Sequence, residues 1–195
     1  MSPVILGVDP GSRHTGFGVV QGEGSQVLHL ASGSINPGSR PPLESRLCQI
    51  FDGLSELIRQ HCPQAIALEE IFLAANVHSA FVLGQVRGVV LLLAARSMVP
   101  IFHYSPLVVK KAVVGYGRAS KTQVQLMVQQ LLGVEMANEH AADALAVGMC
   151  HLFHSRWPAA ANAADAGPLA TPRQVAQGAH SELDIDLDSK PPSQA

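Results

Sequence analysis

Cysteine, charge and aromatic side chains are all scarce in this 195-residue sequence, and each shortage narrows what the chain can be. The 3 cysteines, Cys48, Cys62 and Cys150, are scattered, odd in number and form no C-x-x-C pair. That argues against a disulfide scaffold or a cysteine-built zinc site and favours a reducing, cytoplasmic compartment. The first residues lack a basic segment followed by an apolar one, so no secretory signal is expected. The most apolar stretch, Phe81 to Val99, is broken by Gln85, Arg87 and Arg96, so no membrane span is expected there. Charged residues make up only 14% of the chain, and the formal charge of −2 hides their distribution. Acidic residues are missing altogether between Glu70 and Glu135, where Arg87, Arg96, Lys110, Lys111, Arg118 and Lys121 accumulate. Such a stretch suits a polyanionic partner, and equally suits a solvated basic helix face.

What is present reads as one domain with a tail. Val4 to Val8 is a short apolar strand ending at Asp9-Pro10-Gly11. Gly16 to Val20 and Val27 to Ile35 supply two more strands around a turn-like Gly22-Glu23-Gly24-Ser25, suggesting an antiparallel meander. From Leu43, Leu47, Ile50, Phe51, Leu54, Leu57 and Ile58 recur at helical spacing up to Pro63. Ala65 to Leu68 reads as a buried strand delivering Glu69, and a long helix from about Val77 to Met98 leads to a short strand, Pro100 to His103. Ser120-Lys121-Thr122-Gln123 has capping-box form and predicts a helix from Lys121 to Leu132; another runs from Glu139 to about Phe153. The pattern is α/β, with helices on both faces of a sheet. Residues 1–157 form the expected domain, and the aperiodic residues 158–195, rich in Ala, Pro and Ser and more acidic than basic, an expected disordered tail.

Asp9 and Glu69 fall at the C-terminal ends of predicted strands, where open α/β sheets place their sites. Asp143 sits in a helix otherwise built of small apolar residues, and a carboxylate buried there must be paired, hydrogen-bonded or metal-bound. His140, three residues earlier, shares its helical face. Converging, these residues would form an oxygen-rich pocket suited to magnesium or manganese. Taken singly, a turn former, an ion-paired glutamate and helix-surface residues explain them better, and only convergence favours the site. Glu70 points to the opposite face from Glu69 if the strand continues, and Glu69 is chosen because the apolar run ends there. His151 and His154 read as solvated helix-end residues. Lys110, Lys111 and Lys121 are the best phosphate contacts, Lys121 especially because it opens a helix. Phe72, just past Glu69, could stack on an unpaired base, though from the sequence alone a core position suits it better.

Five segments, Ile5 to Arg13, Ala67 to Phe72, Leu83 to Gly88, Val113 to Gly117 and Ala141 to Ala146, resemble in order and spacing the RuvC family of bacterial Holliday junction resolvases, over residues 3–155. The resemblance implies a ribonuclease-H-like fold with a mixed sheet of five strands, three antiparallel and then parallel. It implies a homodimeric, metal-dependent endodeoxyribonuclease that resolves four-way junctions by paired nicks, in recombination and repair, beside the RuvA and RuvB branch-migration proteins. By position, Asp9, Glu69 and Asp143 resemble its metal-binding catalytic carboxylates. His140 stands where many members carry a fourth. Phe72 matches the junction-probing aromatic, and Lys110 and Lys121 match basic DNA-contacting positions, with Arg87, Lys111 and Arg118 in the same acid-free stretch. Two magnesium ions per site, with manganese possible, imply hydrolysis to a 5′-phosphate and a 3′-hydroxyl. Two other readings stand at this point. Asp9 to Gly16 also resembles the phosphate loop of actin-like sugar kinases and ATPases, which need a second domain; and the basic stretch would serve a non-catalytic junction-binding module.

Overall fold

A computed structural model describes residues 2–23, 26–70, 77–135 and 137–156. The expected tail, and Phe72, lie outside the described residues.

Strands β1 (Val4–Asp9), β2 (Thr15–Glu23) and β3 (Gln26–Ile35) form the antiparallel meander. Helix α1 (Leu43–His61) leads to β4 (Ala65–Glu69), and α2 (Val77–Arg96) to β5 (Ile101–Tyr104). β4 lies parallel to β1, and β5 parallel to β4, giving one five-stranded sheet in the order β3-β2-β1-β4-β5. Three helices complete the described chain: α3 (Pro106–Val114), α4 (Lys121–Leu132) and α5 (Glu139–Arg156).

Helix α3 is not among the elements expected from the sequence pattern. Ser105 caps it by accepting from the Val108 amide, Pro106 occupies the first turn, and Gly115 closes it at φ 93°. The Val108-Val109 and Val113-Val114 doublets look strand-like, and they obscured those signals. The capping box at Ser120 is present, with both reciprocal hydrogen bonds made.

Two apolar layers sandwich the sheet. Leu6, Val8, Ile66 and Leu68 pack with Ile50 and Leu54 of α1 and Val86, Val90 and Leu93 of α2. Ile5, Ala65 and Ala67 face the other way, with Val109 and Val113 of α3, Val124 and Val128 of α4, and Leu145 and Met149 of α5. Because strand side chains alternate, Asp9 follows Ile5 and Gly7 and Glu69 follows Ala65 and Ala67, all toward α5. Helix α2 is long and apolar enough to span a membrane by length and composition alone, and Val86, Val90, Leu93 and Ala94 are buried in the core.

Helix α5 rests directly on β1 and β2. A Cβ on Gly7 would come 2.0 Å from the Ala144 carbonyl oxygen, and one on Gly16 would come 2.1 Å from that of His140. Only glycine permits backbones this close. The helix that carries His140 and Asp143 is thereby lowered onto the strand ends that carry Asp9 and Glu69.

Candidate active site

Asp9 ends β1, opposite Gly16 of β2. Its Oδ2 lies 3.0 Å from Nδ1 of His140, in the first turn of α5. Behind His140 the His14 ring stacks at 5.4 Å and 11°, and its Nδ1 lies 2.9 Å from the Asn36 side-chain oxygen. Burial raises the Asp9 carboxyl above its ordinary value; the His140 hydrogen bond opposes this, and the Asp143 charge adds to it.

Glu69 ends β4. Burial, then the charges of Asp9 and Asp143, push its carboxyl up to about 7, with Lys121 and Lys110 pulling the other way. Asp143 is one turn beyond His140, and its Oδ2 accepts from the Lys121 ammonium at 2.9 Å. The same ammonium reaches Glu139 at 2.9 Å. Burial alone would depress Lys121; its hydrogen bonds to Asp143 and Glu139 outweigh that and raise it above the ordinary lysine range. A cavity of about 240 Å³ opens here, lined by Glu69, Lys110, Lys121 and Asp143 together with Pro106, Val109, Val124 and Ala146.

Among the described residues, no three His, Cys, Asp or Glu side chains are gathered closely enough to form a ligand set. The donor chemistry nevertheless fits a hard divalent cation. Asp9 and Asp143 each make Glu69 harder to ionise, and the Lys121 ammonium occupies the place of a positive charge at Asp143.

Lys110 lines the cavity, while Lys111 and Arg118 are exposed. Arg87 turns its guanidinium onto the Glu69 carbonyl and His103. His151 is not solvated but buried against Tyr104. Sequence reasoning missed Glu139, whose signal was an acid beside His140 opening a helix, and it missed His14 and Asn36. Nothing local could have paired those two with α5.

A family profile described as crossover junction endodeoxyribonuclease RuvC matches residues 5–151. The Shewanella loihica crossover junction endodeoxyribonuclease RuvC is 53% identical over 154 residues, 78% of this chain and 88% of that protein. The Citrifermentans bemidjiense protein of the same name is 47% identical over 149 residues, 76% of this chain and 91% of its own. Among solved structures, Thermus thermophilus RuvC in complex with a Holliday junction substrate aligns with TM-score 0.75 and 35% identity, over 79% of this chain and 95% of that one. The yeast mitochondrial Holliday junction resolvase shares the fold at TM-score 0.56 and 16% identity, over 76% of this chain and 77% of its own.

Proposed function

The chain belongs to the RuvC family of crossover junction endodeoxyribonucleases, and from that membership we propose how its residues act. It is an endonuclease that resolves four-way Holliday junctions. The observation that carries the site assignment is geometric: Glu69 and Asp143, distant in sequence, line one cavity with Lys110 and Lys121, and His140, one turn before Asp143, holds Asp9 at 3.0 Å. A solitary structural ion pair would explain one such carboxylate, and a non-catalytic DNA clamp would have no use for three that repel one another.

Asp9, Glu69 and Asp143, with the His140 imidazole as a fourth donor, would hold divalent magnesium, two ions to a site, with manganese accepted in its place. When bound, such ions neutralise charge building on a phosphodiester and make water a stronger nucleophile at neutral pH. The protein's own work is placement. His140 holds the Asp9 carboxylate from one side, and the first turn of α5 fixes both His140 and Asp143 against the sheet. Lys110 at the cavity, and Lys111 and Arg118 on the exposed surface nearby in sequence, attract the backbone phosphates. Lys121, at the start of α4, adds its ammonium to the helix N–H groups that favour an anion. Hydrolysis leaves a 5′-phosphate and a 3′-hydroxyl. Phe72 contacts an unpaired base, as the family resemblance implies.

A four-way junction has its own symmetry, and a homodimer presents two equal centres to it. The exposed apolar residues of α2, Val77, Phe81, Leu91 and Leu92, offer a surface for the second copy. RuvA and RuvB are the expected companions, in the cytoplasm.

The test is Asp143→Asn on a synthetic four-way junction. Junction binding is expected to persist, because the basic residues remain. Nicking in magnesium is expected to fall on the order of 100-fold or more, as when a preorganised electrostatic group is removed from a catalytic site. Wild-type nicking by this variant in excess magnesium overturns the assignment.

A further inference from the structure

Arg87 reaches from α2 to the end of the strand that delivers Glu69. Its Nη1 donates to the Glu69 carbonyl oxygen at 3.0 Å, and its Nη2 to His103 Nδ1 at 2.7 Å. His103 lies on β5, the parallel neighbour of β4, where Leu68 pairs with His103 and Glu69 with Tyr104. The Glu70 amide then donates to the Tyr104 carbonyl at 2.8 Å, and no described β4 pairing continues beyond that point. One guanidinium therefore ties α2, β4 and β5 together at the residue where the sheet ends.

We propose that Arg87 is a positioning residue for the nuclease reaction, clamping the backbone of Glu69 so that its carboxylate stays turned toward Asp9 and Asp143. This rests on the reading of Glu69 as a cation-holding catalytic carboxylate. Arginine suits the task because its planar fork serves two acceptors at fixed angles, which a lysine ammonium does not reproduce. His103 suits it because its Nδ1 stands 2.7 Å from the guanidinium, and burial and then the Arg87 charge, against the opposing Glu70 charge, disfavour a proton on its ring. Residues that orient a cation's ligands commonly matter as much as moderate changes in the ligands themselves.

The experiment compares wild type, Arg87→Ala, Arg87→Lys and Glu69→Gln as full-length chains. It measures manganese binding by calorimetry without DNA, junction affinity in calcium, and single-turnover nicking at saturating enzyme. Arg87→Ala is expected to weaken manganese binding and slow nicking by about 10–100-fold at unchanged junction affinity, with Arg87→Lys between it and wild type. Charge alone predicts the opposite sign, since removing a cation beside a cation site should tighten manganese. The proposal is overturned if Arg87→Ala binds manganese as tightly as wild type or more so. It is equally overturned if junction affinity falls while saturated nicking is intact, which would make Arg87 a strand contact. If the alanine variant does not fold, Arg87→Lys carries the same comparisons. Glu69→Gln with wild-type manganese binding sinks the site reading itself; Glu69→Gln weakened with both Arg87 variants unaffected sinks the clamp alone.

Discussion

His151 has only 7% of its surface exposed, and its Nδ1 is hydrogen-bonded to the Tyr104 hydroxyl at 2.7 Å. Burial, and then the neighbouring His154, hold its imidazole down to about 4, against an ordinary 6.5. The unfolded chain takes up a proton near 6.5 and the folded one resists to about 4, so the unfolded state binds more protons between these values. Stability from this group is therefore complete above pH 6.5 and drains as pH falls through that window. Urea unfolding at pH 7 and pH 5 should show the loss, and His151→Phe should shrink the difference while being less stable at pH 7. An unchanged difference would assign the acid sensitivity elsewhere. Sequence reasoning misread His151 because its partner lies 47 positions away, and a helix end says nothing about what packs on it. Asp9, Glu69 and Asp143 were legible for the opposite reason. A carboxylate at a strand end or among alanines announces an unmet need for a partner, even when the partner itself is invisible.

At the scale of elements, strands and helices followed from periodicity and caps, and what escaped was a close approach between two of them. Gly7, Gly16 and Gly18 look like interruptions in β1 and β2, yet they form the seat of α5. Their purpose appears only when the helix carbonyls are in view. Gly16→Ala would drive a methyl against the His140 carbonyl, lifting the turn that holds His140 and starts toward Asp143. Overpacking of this kind costs about 1–3 kcal/mol, and the backbone contact here places the expected loss toward the upper end. Nicking should fall further than thermal stability explains, because the displaced turn is the one that faces Asp9. Thermal melts and nicking assays on the same preparation check this; a variant fully active at a lowered melting temperature would separate the glycine seat from the site. Omission of α3 has a similar origin. Its boundaries were written in Ser105, Pro106 and Gly115, but paired valines favour strands locally, and burial of Val109 and Val113 beneath α5 decided the outcome.

For the whole molecule, the mixed sheet sets Asp9 and Glu69 on adjacent parallel strands and turns the α2 layer to the opposite side. Helix α2 buries Val86, Val90 and Leu93 inward while Phe81 and Leu92 remain 70% and 56% exposed. Gly84 and Gly88 lie at intervening positions of that exposed stripe, with open space where a Cβ would stand. An apolar stripe interrupted by glycines lets a second helix approach closely, which is what a self-complementary interface needs. The proposed dimer places its two centres at a fixed separation, so both cuts on one junction depend on the pair staying together. Leu92→Glu puts a charge into that stripe without touching the buried face. The expected result is a monomer by sedimentation at micromolar concentration, with the monomer's fold retained by circular dichroism. On a cruciform plasmid, which a single nick relaxes and two coordinated nicks linearise, wild type should give linear product and Leu92→Glu mostly nicked circles. A variant that stays dimeric and linearises the plasmid would move the interface off α2, while leaving the carboxylate centre on the other side of the sheet untouched.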